Sequence, residues 1–196
     1  MPLPSKKPQP AAYEDLLRLP EHVVGEIVDG EVVVSPRPAP AHALASSVIG
    51  GELTGPFHRG RGGPGGWVIL FEPEIHLGQH VLVPDLAGWR RERMPALPGT
   101  AWFTLAPDWA CEVLSPSTAI LDRTRKQEIY REHGVAWLWF VDPAARTIEV
   151  LNRTEQAWMV AGTFGGAGEA RVPPFDAVAI DLGALWDITP PPTASP

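Results

Sequence analysis

Two short apolar runs in this chain each contain a carboxylate, and this feature limits the folds that can accommodate them. Residues 81–86 read VLVPDL, so Asp85 follows a proline at the end of an apolar run. Residues 110–114 read ACEVL, so Glu112 stands inside a second one. Burial of an ionised carboxylate is unfavourable unless the group is paired or binds a cation. Each carboxylate alone is also typical of a strand end that caps a loop, but the two together indicate a site that compensates both.

Both apolar runs predict strands of one β-sheet. Neighbouring strands lie about 4.8 Å apart, so carboxylates on two such strands can reach one cation. Hard oxygen ligands suit Mg²⁺ or Mn²⁺ rather than zinc. The sequence therefore predicts that the carboxylates of Asp85 and Glu112 converge on a divalent-cation site.

The segment after Glu112 predicts a helix over residues 119–133, which ends at Gly134, a favourable residue after a helix end. Three- and four-residue spacing places five residues on one face of this helix: Asp122, Lys126, Ile129, Tyr130 and His133. Because Ile129 and Tyr130 are expected to pack on the sheet, we expect Lys126 to point at the sheet edge near Glu112. An ordinary surface ion pair between Asp122 and Lys126 is the alternative.

The remaining pattern predicts a mixed α/β (α+β) fold, a mixed β-sheet flanked by helices. Asp29-Gly30 is typical of the turn of a hairpin, here over residues 26–35. Helices are expected at 13–17 and 42–57, and strands at 67–77, 81–89, 109–114, 136–141, 147–151 and 158–160. Residues 11–188 are predicted to form one domain, with disordered proline-rich tails at 1–10 and 189–196.

The composition bears on partners and location. A formal net charge of −7 opposes nonspecific attraction to nucleic acid, although a bound cation reverses the local field that a phosphate meets. No apolar stretch is long enough for a signal peptide or a membrane span. The single cysteine, Cys111, cannot form an internal disulfide and is predicted to be buried. We therefore expect a soluble, cytoplasmic protein with no membrane partner.

Two basic segments are candidate nucleic-acid contacts. Residues 59–66 read RGRGGPGG, and a flexible connector is the alternative there, since no Gly-Lys-Ser/Thr follows as in a phosphate loop. Arg90 and Arg91 follow the Asp85 strand within the basic cluster at 89–93, which makes them the best candidate phosphate contacts. A solvated loop is the alternative for this cluster.

These residues, taken together, resemble a known family. The pattern comprises Pro84-Asp85, the segment EVLSPST at 112–118, Asp122, Lys126, Tyr130 and Gly134-Val135, preceded by the hairpin at 26–30, Ser35-Pro36 and His42. In order and spacing it resembles the Uma-type restriction endonucleases of the PD-(D/E)XK nuclease superfamily. The resemblance covers roughly residues 13–185.

The resemblance implies a restriction-endonuclease-like core, a four-stranded mixed sheet between helices, with additional N-terminal and C-terminal hairpins. It implies that Asp85, Glu112 and Val113 hold Mg²⁺ or Mn²⁺. The position two after Glu112, where lysine is usual, is Leu114. Lys126 is the expected substitute, because a lysine on the next helix can deliver its ammonium to the same point.

The resemblance also implies an endonuclease that hydrolyses phosphodiester bonds of nucleic acid, with DNA as the first candidate and a homodimer as a further expectation. Asp85, Glu112, Lys126 and Glu26 are then the catalytic residues. His42 and Asp122 match family positions and are candidate binding residues, although His42 is also suited to capping or packing the start of its helix.

Two other functions stay open at this point. A noncatalytic binding or assembly module is favoured by the acidic net charge and by Leu114, and is opposed by the presence of Asp85, Glu112 and Lys126. A hydrolase of a phosphate ester other than nucleic acid would need a closed pocket.

Overall fold

A computed structural model describes residues 9–188, so most of the two predicted tails lies outside the described residues. The helices are α1 (Tyr13–Leu16), α2 (Pro40–Leu53), α3 (Ala119–Leu121) and α4 (Gln127–Glu132), with π-helical turns at Thr54–His58 and Asp122–Lys126 and a 3₁₀ turn at Gly183–Leu185. The strands are β1 (Val24–Val28), β2 (Glu31–Ser35), β3 (Trp67–Phe71), β4 (Ile75–Leu77), β5 (His80–Leu82), β6 (Leu86–Arg90), β7 (Trp109–Val113), β8 (Trp137–Asp142), β9 (Thr147–Arg153), β10 (Trp158–Gly165), β11 (Glu169–Ala170) and β12 (Ile180–Asp181).

The main sheet has six strands in the order β10-β9-β8-β7-β6-β3. Only β7 and β8 run parallel, and the helical segment 119–132 connects them, as parallel strands require a crossover. This is the mixed sheet that the sequence predicts, with six strands where the resemblance implies four. The mixed α/β fold class is confirmed.

Side chains of β7 alternate between the two faces of this sheet. Trp109, Cys111 and Val113 pack in a core formed with α2, whereas Ala110 and Leu114 pack in a second core with Ile129 and Tyr130. Glu112 lies two residues after Ala110 and two before Leu114, so its side chain is on the same face of the sheet as theirs and points toward the helix that carries Lys126. Cys111 is fully buried, as predicted.

A second sheet has four strands in the order β2-β1-β5-β4. The predicted hairpin over residues 26–35 is confirmed as β1 and β2, and Asp29 and Gly30 at its turn both have positive φ. Two predictions for this region were wrong, since residues 67–77 and 81–89 each form two strands that belong to different sheets. The breaks fall at Pro73 and Pro84, because a proline has no N–H to donate to a ladder.

Helix α2 covers one face of the main sheet despite the glycine pair in its sequence. A Cβ atom built at Gly50 would lie 1.8 Å from Cζ of Phe71, so the absence of a side chain here lets the β3 ring lie against the helix. The predicted helix at 42–57 is confirmed, with its last turn in π-helical form. Within residues 9–188, no helix combines the length and apolar character needed to cross a bilayer.

Candidate active site

One cavity of about 220 Å³ opens where the two sheets meet the helix that follows β7. Its lining includes every predicted catalytic and metal-binding residue, contributed by β1, the β5–β6 connection, β7 and the 119–132 helix. These residues are Glu26, Asp85, Glu112, Val113 and Lys126, together with the candidate binding residues His42 and Asp122. Residues that are far apart in the sequence are therefore brought together as predicted.

Lys126 lies at the centre of this group. Its Nζ atom is 2.9 Å from Oε1 of Glu112, 3.0 Å from Oε1 of Glu26 and 3.4 Å from Oδ1 of Asp122. The side chain of Lys126 is only 3% exposed, so the alternative of a surface pair with Asp122 is wrong. The prediction that Lys126 reaches Glu112 from the helix is confirmed.

Glu26 connects Lys126 to the chain segment that carries Asp85. The N–H of Val83 donates a hydrogen bond of 2.8 Å to Oε1 of Glu26, the same oxygen that contacts Lys126. Val83 begins the three-residue connection between β5 in one sheet and β6 in the other. The carboxylate of Glu26 therefore fixes the point from which the chain turns to place Asp85.

Asp85 precedes β6 and is held from two sides. The N–H of Val113 donates a 2.7 Å hydrogen bond to Oδ2 of Asp85, and Nε2 of His42 lies 3.2 Å from Oδ1. His42 lies in the first turn of α2, and its Nδ1 atom is buried without a hydrogen-bond partner among the described residues. Burial lowers the pKa of His42, but the hydrogen bond and the charge of Asp85 outweigh it, so the net shift is upward.

Glu112 is held by Lys126 and by a tyrosine. The hydroxyl of Tyr130 donates a 2.6 Å hydrogen bond to Oε1 of Glu112, inside the protein. Burial raises the pKa of Glu112 well above its ordinary value of 4.5; Lys126 opposes this rise, and the charges of Asp122, Glu26 and Asp85 add to it. Burial likewise raises the pKa of Asp122.

The cluster carries more negative than positive charge. Burial alone would lower the pKa of Lys126. The charges of Glu112, Glu26 and Asp122 outweigh this effect and raise the pKa well above 10.5, so the ammonium stays charged. One ammonium cannot neutralise three buried carboxylates, and burial together with the charges of the neighbouring carboxylates raises the pKa of Glu112 and of Asp122. A divalent cation would relieve this excess of negative charge and favour the ionised carboxylates.

The donor set fits a hard divalent cation. Among residues 9–188, no group of three or more His, Cys, Asp or Glu side chains is arranged to hold a metal ion. Mg²⁺ does not require such a group, because it commonly binds through one or two carboxylates while water and substrate oxygens complete the shell. Asp85 and Glu112 are two such carboxylates at one cavity, and the unrelieved negative charge around them favours a cation.

Arg90 and Arg91 are not brought to this cavity. They lie at the opposite end of β6 from Asp85, about 17 to 20 Å away at roughly 3.3 Å per residue. The guanidinium of Arg90 stacks 4.0 Å from the ring centroid of Trp67, and Arg91 donates hydrogen bonds to the carbonyls of His58 and Trp67. Their side chains therefore have structural partners, and the prediction that they bind phosphate gains no support from their position.

Two features of the site were missed in the sequence. Tyr130 was expected only to pack, yet its hydroxyl binds Glu112. The distribution of lysines also indicates the importance of Lys126. The chain has three lysines, at positions 6, 7 and 126, and only Lys126 lies beyond the N-terminal segment. A lysine so isolated in a helix with an apolar face is a candidate for a specific internal role.

Comparisons with known proteins bear on the family and the fold of this chain. The model of the Uma2 family, described as "Putative restriction endonuclease", matches residues 12–182. A crystal structure of a "putative nuclease" from Anabaena variabilis superposes with a TM-score of 0.66 at 24% sequence identity, over 88% of this chain and 96% of that chain. At this identity the structural match shows a shared fold. No curated protein matches the sequence.

Proposed function

This chain belongs to the Uma2 family, described as "Putative restriction endonuclease", and from that premise we propose that it hydrolyses phosphodiester bonds of nucleic acid with a divalent metal ion. The observation that carries the proposal is the position of Lys126. Its ammonium contacts Glu112 and Glu26 at once, at a cavity that Asp85 also lines. In this arrangement, the carboxylates of Asp85 and Glu112 would bind a cation, and the fixed ammonium of Lys126 would contact a phosphate.

Asp85, Glu112 and Val113 would hold Mg²⁺ or Mn²⁺. When bound, such an ion polarises a phosphoryl oxygen and makes a water molecule more acidic. Within the chain, the N–H of Val113 and the ring of His42 keep the carboxylate of Asp85 in place, and Tyr130 does the same for Glu112. The ligands are thus oriented before a substrate arrives, which is what a catalytic site requires.

Lys126 would stabilise the negative charge that develops on the phosphate during hydrolysis. Its compact ammonium is held by Glu26, Glu112 and Asp122, so it does not reorganise when the charge develops. Glu26 has a second role, because it also fixes the Val83 N–H and so the segment before Asp85. Asp122 keeps the ammonium directed into the cavity.

DNA is the substrate we favour, and a homodimer and a cytoplasmic location are further parts of the proposal. The test is incubation of the purified protein with supercoiled plasmid, linear duplex, single-stranded DNA and RNA, each with Mg²⁺, Mn²⁺ or EDTA. We expect cleavage of at least one nucleic acid with either ion and none with EDTA. Absence of cleavage on all of them would instead favour a noncatalytic nuclease-like module.

A further inference from the structure

Apart from Lys126, which would meet the reacting phosphate, the proposed active site lacks an obvious partner for the negative charge of the rest of the substrate strand. Five carboxylates line the cavity: Glu26, Glu72, Asp85, Glu112 and Asp122. The ammonium of Lys126 is buried and already contacts three of them. A nucleic-acid strand carries a negative charge at every phosphate, so its approach to this acidic cavity calls for a cation at the cavity mouth.

Arg37 is the one other lysine or arginine among the cavity-lining residues. It is exposed, and within residues 9–188 its guanidinium makes no hydrogen bond or ion pair. Most other arginines in this part of the chain have such partners; Arg125 binds Asp29, for example, and Arg123 binds Glu149. Arg37 is therefore free to bind an anion at the cavity.

The chain holds Arg37 at this place from both sides. Two residues before it, Ser35 ends β2 and pairs with Val24, and both line the same cavity. Five residues after it, His42 contacts Asp85 from the first turn of α2. Pro36 and Pro38 flank Arg37 directly, and the fixed φ of a proline limits the motion of this short connection. Arg37 is thus an unpaired cation on a constrained segment at the cavity mouth.

We propose that Arg37 binds a phosphate of the nucleic-acid strand and so positions that strand for hydrolysis at the Lys126 site. The planar guanidinium can donate two parallel hydrogen bonds to the nonbridging oxygens of one phosphodiester. Such a contact reads the backbone and not the base sequence. The inference rests on the proposed function for the identity of the ligand, but its test does not require cleavage.

The experiment measures binding of a fluorescent 20-nucleotide single strand and its duplex by anisotropy, in EDTA, over a series of salt concentrations. The proteins are the wild type, Arg37→Ala, Arg37→Lys and, as a matched control, Arg153→Ala. Arg153 is also exposed, but it ends β9 beside Trp137, at the end of the main sheet opposite to Glu112, and it does not line the cavity. Circular dichroism and thermal melting confirm that each variant is folded.

We expect Arg37→Ala to weaken binding about tenfold and to reduce the slope of log K against log salt by about 0.7 to 0.9, the change for one lost phosphate contact. Arg37→Lys should retain part of the affinity, and Arg153→Ala should stay within about twofold of the wild type. In cleavage assays with Mn²⁺, Arg37→Ala should raise KM about tenfold and change kcat by less than about threefold.

Failure of this proposal can be told apart from failure of the proposed function. If the wild type cleaves but Arg37→Ala binds with wild-type affinity and salt slope, the assignment of Arg37 is overturned. An equal loss in Arg37→Ala and Arg153→Ala, or no oligonucleotide binding by the wild type, also overturns it. If the wild type binds through Arg37 and never cleaves, the binding site stands and the nuclease proposal fails.

Discussion

Lys126 and Glu112 form an ion pair inside the protein, with Nζ 2.9 Å from Oε1 and both side chains at most 4% exposed. Such a pair is costly to bury, and its removal from one side only leaves an uncompensated charge. Lys126 also contacts Glu26 and Asp122, so its one positive charge is the shared partner of three buried carboxylates.

The first prediction concerns Lys126→Met. Three buried carboxylates would then have no positive partner, so we expect a loss of stability of about 3 to 5 kcal/mol. Cleavage should fall about a hundredfold or more at temperatures where the variant is folded, the scale seen when one charge-stabilising group is removed from a reacting centre. Lys126→Arg should rescue poorly, because a planar guanidinium does not replace a compact ammonium.

Arg125→Met is the matched control for this prediction. Arg125 is the preceding residue, but its side chain is half exposed and pairs with Asp29 at the surface. Exposed pairs of this kind contribute little to stability, so stability should change little and cleavage should not change. Chemical denaturation and plasmid cleavage measure the two effects. Wild-type cleavage rates in Lys126→Met would show that Lys126 has no catalytic role.

The second prediction is a pH dependence of stability that originates at Glu112. Burial raises the pKa of Glu112 in the folded state above 4.5, so the folded protein binds a proton more tightly than the unfolded chain does. The stability that this proton contributes is fully present below about pH 4.5 and is lost as the pH rises through the raised value. In EDTA, the free energy of unfolding should therefore decrease as the pH increases above that range.

Glu112→Gln isolates this contribution, because glutamine keeps the size of the side chain and does not ionise. Urea denaturation of both proteins from about pH 5 to about pH 8 should show a smaller decrease for the variant. Parallel curves for wild type and Glu112→Gln would show that Glu112 titrates at the same pH in the folded and unfolded protein.

The third prediction separates the two roles of Glu26. Its Oε1 atom accepts the Val83 N–H and also contacts Lys126. Glu26→Gln retains an acceptor for Val83 and loses the charge, whereas Glu26→Ala loses both. We therefore expect Mn²⁺ affinity to fall more in Glu26→Ala than in Glu26→Gln, since only the alanine variant releases the segment before Asp85. Equal Mn²⁺ affinities in the two variants would show that the hydrogen bond to Val83 does not position Asp85.

Much of this site could be predicted from local sequence rules. The two apolar runs placed Asp85 and Glu112 on strands of one sheet, and helical spacing placed Lys126 on the same side of its helix as Ile129 and Tyr130. Both inferences use only local patterns, so they hold without knowledge of the partners. The pairing of Lys126 with Glu112 followed once this helix face was expected to pack on the sheet.

Other features depend on contacts between distant segments and could not be predicted in this way. The chain passes from one sheet to the other at Val83–Asp85; Pro84 marks this break in the sequence, but the hydrogen bond that holds Val83 comes from Glu26, 57 residues earlier. Glycine is unfavourable in a helix, so Gly50 weakens the helical pattern of the sequence at residues 42–57. In the structure it is the position where the ring of Phe71 lies against α2. The partners of Arg90 and Arg91 likewise come from Trp67 and His58, which precede them by more than 20 residues.

The most direct test of the central claim is calorimetric titration of Mn²⁺ into the wild type and into Asp85→Asn, with Asp176→Asn as a control at an exposed aspartate outside the cavity lining. The account predicts that the wild type and Asp176→Asn bind Mn²⁺ alike. Both should bind Mn²⁺ more tightly as the pH rises, because burial raises the pKa of Glu112 and a cation favours its ionised form. Asp85→Asn should bind at least about tenfold more weakly. Equal Mn²⁺ affinity in wild type and Asp85→Asn, or no binding by the wild type, would contradict the account.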